Sequence, residues 1–199
     1  DEAGFLGPLL AHLTAQGLPV AGPLADRDGL RLGTLADKPA QLAPRLAGQH
    51  PDQPDIAQCA AMGRTLADLH LALLDYPLAR KNTHGATWWE AVAARRRSQM
   101  SAADQSLLDR TLAALADITQ RYPSLPAGLI HGDLFRDNTL FTGSNVSALL
   151  DFSECSHDCW LLDIAITAND FCRQWPTDAP DTVRLAAFMS GYSDVRNLG

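Results

Sequence analysis

The chain has 199 residues, 23 of them acidic and 16 basic, for a formal net charge of −7 at pH 7; 46% are hydrophobic and 20% charged. That much apolar material excludes general disorder, and no run of about 18 apolar residues is present to form a membrane-spanning helix. The acidic balance excludes a nucleic-acid binder acting by bulk charge, but not a small anionic ligand held by local groups and a metal ion.

In chain order, residues 5–16 read as a helix. Phe5, Leu6, Leu9, Leu10 and Leu13 recur at helical spacing, and Gly17 and Pro19 stop it. Asp28-Gly29, between Leu30, Leu32 and Leu35 and the preceding residues, predicts a hairpin turn, and a second short strand is expected over Ala40–Leu46, with Pro44 confining it to an edge. His50–Pro54 is a linker. Asp55 then caps a helix whose stripe of Ile56, Cys59, Gly63, Leu66, His70 and Leu73 runs to about Leu74. His70 on that stripe reads as a packed, hydrogen-bonded residue. Residues 87–97 predict another helix, with Arg95–Arg97 as a solvated face near its C-terminus. A third starts at Ser101, carries Leu108, Leu112, Leu115 and Ile118, and ends at Tyr122-Pro123. Short strands are expected at Thr139–Phe141 and Ala148–Phe152 around a Thr142–Asn145 turn, followed by helices over 161–173 and 181–192.

Four cysteines, at 59, 155, 159 and 172, make no Cys-x-x-Cys pair. Cys155, His157 and Cys159 fit no common zinc spacing, and reduced, packed thiols in a cytoplasmic protein are expected. The chain begins Asp1-Glu2-Ala3 without Met, so a fragment or processed product is expected.

The residues that carry chemistry lie between 131 and 163. His131-Gly132-Asp133-Leu134-Phe135-Arg136-Asp137-Asn138 is followed by a hairpin and then Leu149-Leu150-Asp151-Phe152. The hairpin returns the chain, so Asn138 and Asp151 come together as two oxygen ligands suited to Mg²⁺ alongside phosphate oxygens. Asp133, five residues before Asn138, then faces a nucleophile. A purely structural account, with Asp133, Asp137 and Asp151 as turn formers, explains Asp137 but not why all these residues share one spacing.

That spacing resembles the kinase catalytic loop His-x-Asp-x-x-x-x-Asn followed by a metal-binding Asp-Phe. Gly132 in place of the protein-kinase Arg, and Ser153 after Asp-Phe, point to the aminoglycoside phosphotransferase and choline kinase superfamily. Asp133–Asn138, together with Leu162-Asp163-Ile164-Ala165-Ile166-Thr167-Ala168-Asn169-Asp170-Phe171-Cys172, is similar to the bacterial homoserine kinase family of that superfamily, as are Gly17–Gly48 and the helix ending Leu69-His70. The resemblance implies an α+β, protein-kinase-like fold: a mostly helical C-terminal catalytic lobe with a catalytic-loop β-hairpin over 49–199, and the rear part of an N-terminal lobe with its hinge over 1–48. It implies transfer of the ATP γ-phosphate to the homoserine hydroxyl, with ATP and Mg²⁺ as cofactors, a step of threonine synthesis.

Roles follow from the same resemblance. Asp133 matches the catalytic acid, Asn138 and Asp151 the metal ligands, and His131 and Asp163 the supports of the loop. Gln41, Leu42, Ala43 and Arg45 fall in the hinge that binds adenine. Arg136 either takes the substrate carboxylate or forms a surface ion pair. Glu154, Asp158 and Asp170 are open alternatives for the substrate amine, with Asp170 carried forward. No glycine-rich phosphate loop is present; Lys38 and Lys81 are the only lysines, and Lys38, near the hairpin before the hinge, lies in the wrong place for a phosphate lysine. Glu2 is a candidate ion-pairing acid of the first helix. The family continues beyond Asn197-Leu198-Gly199. Three other readings stay open: a different small-molecule kinase (aminoglycoside, choline or sugar acceptor), a silent kinase-like binding module, and a metal-dependent hydrolase using the carboxylates. A small-molecule substrate is expected, with no nucleic-acid or membrane partner; oligomeric state is left open.

Overall fold

The computed structural model describes residues 2–197, and the side chains of residues 4–197; Glu2's side chain and the last two residues lie outside them. The first helix, α1 (Glu2–Ala15), buries Leu9 and Leu13, and Gly17 at φ +82° ends it. His12 Nε2 meets the Ala72 carbonyl at 2.8 Å, which ties α1 to the next helix.

The early hairpin differs from expectation. Its strands are β1 (Gly33–Leu35) and β2 (Lys38–Ala40), and the turn is Ala36-Asp37, both with positive φ of 49° and 60°. Asp28-Gly29 does turn the chain, but the Asp26 carboxylate closes that turn locally by accepting the N–H groups of Asp28 and Leu30. The expected strand over Ala40–Leu46 does not form beyond Ala40. Pro44 has no N–H to offer a ladder, and residues 41–45 run exposed.

The body of the fold is a pair of helices. α2 (Ile56–Ala72) starts at a capping box in which Asp55 accepts from the Gln58 N–H and Gln58 returns the bond to the Asp55 N–H. A cap of this kind is worth about 1 kcal/mol. α2 buries Cys59, Met62, Gly63, Leu66, Leu69 and His70. Of the stripe read from the sequence, Cys59, Gly63, Leu66, His70 and Leu73 are buried, whereas Ile56, in the first turn, is half exposed, and Met62 and Leu69 widen the buried face. Its partner is α6 (Thr182–Val195), capped by Asp181. The two approach so closely that a Cβ on Gly63 would lie 2.0 Å from the Phe188 carbonyl oxygen, and one on Gly191 2.1 Å from that of Ala60.

Between them the chain forms α3 (Ala86–Arg96), a 3₁₀ turn, and α4 (Ala102–Arg121), capped by Ser101 as expected. α4 buries no residue at all. Arg95–Arg97 are exposed, and Arg97 forms a two-nitrogen pair with Asp109 that pins α4 to the end of α3.

Three short antiparallel ladders complete the described residues. β3 (Ala127–Ile130) pairs with β6 (Ser156–Cys159), and β7 (Arg173–Gln174) with β8 (Ala179–Pro180); the sequence pattern predicted neither. The expected hairpin is present with shifted limits, as β4 (Thr139–Thr142) and β5 (Asn145–Leu149) around Gly143-Ser144. Gly143 takes φ +62°, which allows the tighter turn. The second strand therefore ends at Leu149, and Asp151 sits beyond it with φ +54° instead of within it. α5 (Trp160–Phe171) follows β6 and carries Asp163 and Asp170. No described helix is long and apolar enough to cross a membrane.

Candidate active site

β3 delivers the chain into the 131–138 loop, and Leu134, fully buried, anchors the loop in the core. His131 is fully buried beneath it. Its Nε2 lies 2.9 Å from the Leu150 carbonyl and its Nδ1 accepts the Asp133 N–H at 3.3 Å, so the network assigns the proton to Nε2. The ring packs on Phe152 with centroids 4.5 Å apart. Burial pushes the imidazole pKa below its ordinary value, against the opposing pull of Asp163. Gly132 has φ +82°, and a Cβ there would stand 2.9 Å from the Glu154 carbonyl oxygen. Glycine meets both demands.

Asp163 gathers this loop. Its Oδ2 accepts the His131 N–H at 2.8 Å and His70 Nε2–H at 3.0 Å, and its Oδ1 accepts the Gly132 N–H at 2.9 Å. Burial raises its pKa, but the hydrogen bonds and neighbouring imidazoles win, and the carboxyl ends below its ordinary value. The chain of bonds continues to α6: Arg196 Nη1 donates to the Tyr192 hydroxyl at 2.7 Å, which leaves that hydroxyl to donate to His70 Nδ1 at 2.8 Å. Arg196 also lies 3.7 Å over the Trp160 ring. The expectation that His70 is packed and bonded holds.

Asp133 and Asn138 meet across the loop. Asn138 Nδ2 donates to the Asp133 carbonyl at 2.7 Å and to its Oδ2 at 3.0 Å. Both amide protons are thereby used, and the Asn138 Oδ1 is left as an oxygen donor. Desolvation raises the Asp133 pKa above the usual carboxylate value, with Asn138 pulling the other way. The Leu150 N–H donates to the Asn138 carbonyl at 2.9 Å, which fixes Asp151 one residue further on. Ser153 donates to Asp151 Oδ1 and holds its pKa low, so an ionised carboxylate is exposed there. An amide oxygen and a carboxylate are hard donors that fit a cation such as Mg²⁺.

Arg136 and Asp170, read as partners for opposite ends of a substrate, are bonded to each other. Asp170 Oδ2 accepts the Arg136 N–H at 2.7 Å and its Nε–H at 3.0 Å. They line a cleft of about 470 Å³ with His50, Asp52, Phe135 and Asp137. Of the other acids considered, Glu154 pairs with His84 at 2.8 Å and Asp158 with Asn82 at 2.5 Å, both away from that cleft's lining. Gln41, Leu42, Ala43 and Arg45 lie in the exposed stretch after β2; the Leu42 carbonyl accepts the Leu24 N–H at 2.8 Å. Cys155 is buried and its thiol is pushed up to about 12 by desolvation, so it is held as a neutral thiol. Tyr192, Arg196, His50 and Trp175 were not singled out from the sequence. Arg196 and Tyr192 are four residues apart, but what they serve, His70 and Trp160, lies far away in the chain, as do the Thr139 partner of His50 and the Arg136 partner of Trp175, and no spacing marks them.

Residues 2–198 match the phosphotransferase enzyme family. The chain is 38% identical over 200 residues to a homoserine kinase of Polaromonas naphthalenivorans, covering 100% of this chain and 63% of that one. It is 37% identical over 198 residues to a homoserine kinase of Neisseria meningitidis serogroup B, covering 100% and 64%. The chain thus spans less than two thirds of the length of these curated relatives. Among solved structures, the GDP complex of aminoglycoside 2′-phosphotransferase-IIIa superposes with a TM-score of 0.73 at 15% identity, covering 100% of this chain and 69% of that one. Amicoumacin kinase hAmiN in complex with AMP-PNP, Ca²⁺ and Ami gives 0.68 at 18%, covering 96% and 61%. Likenesses at such identities speak to the fold alone, and it is the α+β, kinase-like fold that these structures share.

Proposed function

The chain belongs to the phosphotransferase enzyme family, and from that premise we propose that it transfers the γ-phosphoryl group of ATP to the hydroxyl of L-homoserine, giving O-phosphohomoserine. The observation that carries the reading is the 131–138 loop. There Asp133 is bonded to Asn138, the backbone beside Asp151 is bonded to Asn138, and Asp163 holds the loop's entry from below. Homoserine is favoured over other acceptors by relatives at 36–38% identity along the chain, against 15–18% for the two antibiotic-modifying enzymes. The cleft also supports it. A polycationic aminoglycoside calls for a uniformly acidic pocket, whereas here a guanidinium stands among the carboxylates.

In this reading the acceptor hydroxyl lies against Asp133, which orients it in line with the γ-phosphorus and accepts its proton. The raised pKa of Asp133 suits it to that exchange. Asn138 Oδ1 and the Asp151 carboxylate hold Mg²⁺, which supplies charge neutralisation for the triphosphate. The hinge stretch of Gln41, Leu42, Ala43 and Arg45 offers backbone groups to adenine. Among the described residues the Ala43 N–H carries no hydrogen bond and is free for that use. A zwitterionic acceptor joins the Arg136–Asp170 pair, its carboxylate at the Arg136 Nη2 edge and its ammonium at Asp170 Oδ1. The product leads to threonine, and the reaction belongs in the cytoplasm.

The test is ADP release from Mg-ATP with L-homoserine by the full-length protein. Homoserine-dependent release should fall by about 10²–10⁴ in Asp133→Asn. A folded, ATP-binding protein that is silent with homoserine would overturn the substrate assignment.

A further inference from the structure

Trp175 lies on β7–β8, a hairpin that the reaction chemistry does not use. Two guanidinium groups stand over its ring, Arg136 Cζ at 4.9 Å and Arg184 Cζ at 5.6 Å from the centroid. Both arginines also grip the 50–54 linker: Arg136 Nη1 donates to the Asp52 carbonyl, and Arg184 Nε to that of Pro54 at 2.8 Å. Arg184 is itself fixed by Asp181, the cap of α6, at 2.5 Å. Arg136 is therefore held by the Asp170 carboxylate at Nε, a linker carbonyl at Nη1 and an indole face. Its Nη2 has no hydrogen-bond partner among the described residues, and the residue lines the 470 Å³ cleft beside Asp133's loop.

A loose arginine binds an anion at the cost of ordering a flexible side chain. One already held on three sides has lost that freedom beforehand, and its remaining N–H groups present a fixed edge. The indole contributes by its quadrupole, which attracts the guanidinium face without using any of its hydrogen-bond donors. A second carboxylate in the indole's place would add to the charge of Asp170 and repel an anionic ligand. Trp175 thus fixes the guanidinium without adding negative charge and without using its Nη2 donors.

We propose that Trp175 is a positioning residue that sets acceptor specificity: it holds Arg136 so that the cleft selects acceptors bearing a carboxylate. The inference rests on the homoserine reading and deepens it. It assigns the discrimination to a residue that touches neither the reacting hydroxyl nor the nucleotide.

The experiment compares two acceptors on the full-length protein, L-homoserine and 3-amino-1-propanol, which is the same molecule without its carboxylate. Wild type should favour homoserine by at least about 100-fold in kcat/KM. Trp175→Leu, which keeps apolar bulk and removes the π face, should raise the KM for homoserine about 10-fold. It should leave kcat, the KM for ATP and the rate with 3-amino-1-propanol within about two-fold, so the discrimination drops by about 10-fold. Trp175→Phe should restore most of it, and the contrast of Phe with Leu stands even if Trp175→Ala does not fold. Equal losses for both acceptors, or unchanged discrimination in Trp175→Leu, would overturn the proposal while leaving the homoserine reading intact. A wild type that phosphorylates neither acceptor removes both.

Discussion

At the scale of single residues, the polar centre of this molecule is Asp163. A fully buried carboxylate is tolerated only when its charge is answered by donors. Two backbone N–H groups of the 131–138 loop and the His70 imidazole answer it. Because the carboxyl is held below its ordinary pKa, the unfolded chain takes up this proton first as the pH falls. Stability from Asp163 is therefore present above about pH 4 and is lost below it. His131 acts with the same sign higher up the scale. Its buried imidazole has a lowered pKa, so the unfolded state protonates near pH 6.5 while the folded state stays neutral. Stability should decline as the pH drops below about 6.5, by at most about 1.4 kcal/mol per pH unit for this one group. Urea denaturation at stepped pH should show the decline between pH 7 and 5. His131→Asn should flatten that segment, whatever it costs at pH 7; an unchanged slope in the variant would assign the effect to other groups.

At the scale of elements, the contrast between α2 and α4 is informative. α2 is buried along one face and locked to α6 at Gly63 and Gly191. Replacing a mid-helix glycine by alanine ordinarily gains up to about 1 kcal/mol. Here the new methyl would meet the Phe188 backbone oxygen at 2.0 Å, and a backbone cannot rotate aside. Overpacking of about 1–3 kcal/mol then outweighs propensity. Gly63→Ala should lower the melting temperature, by about 2–8 °C for a net loss of about 1–2 kcal/mol; a rise would show that the helices part easily. α4 is the opposite case: twenty residues, well capped and amphipathic, yet none buried. Its amides should exchange with solvent well before those of α2 in a native-state hydrogen-exchange experiment, because few tertiary contacts resist its local opening. The Leu108–Ile118 stripe announced a helix correctly. Periodicity reports that a face is apolar, and says nothing of what packs against it.

At the scale of the whole molecule, what could be read from the sequence divides by how local its cause is. Helices with their own caps, at Asp55 and Ser101, were legible because cap and stripe lie within a few residues. The loop that bonds Asp133 to Asn138, and the hairpin that returns Leu150, beside Asp151, to Asn138, were legible because both are local. β3 and β6 were not, since Ser156–Cys159 is a polar segment that alternates poorly and finds its partner across the 131–138 loop and the β4–β5 hairpin. In the first fifty residues Leu30, Leu32 and Leu35 alternate like a strand yet are 61%, 39% and 73% exposed, and only Leu35 joins a ladder. The environment of Arg136 was the least legible. Asp52, Asp170 and Trp175 come from three separate elements, so its dual reading as ion pair or substrate group could be weighed only in three dimensions.

The glycine-sealed crossing of α2 and α6 also sets a timetable for synthesis. His70 and Tyr192, which bond across that crossing, are 122 residues apart in the chain. At about 5–20 residues per second, roughly 6–24 s separate their emergence from the ribosome. Through that interval the face of α2 that carries Met62, Leu66 and Leu69 has no α6 to cover it, and such transiently exposed apolar surface is what chaperones bind and aggregates grow from. The contact that covers this face of α2 can therefore form only once translation has passed Tyr192, and the nascent chain depends on protection for as long as that helix is still unmade.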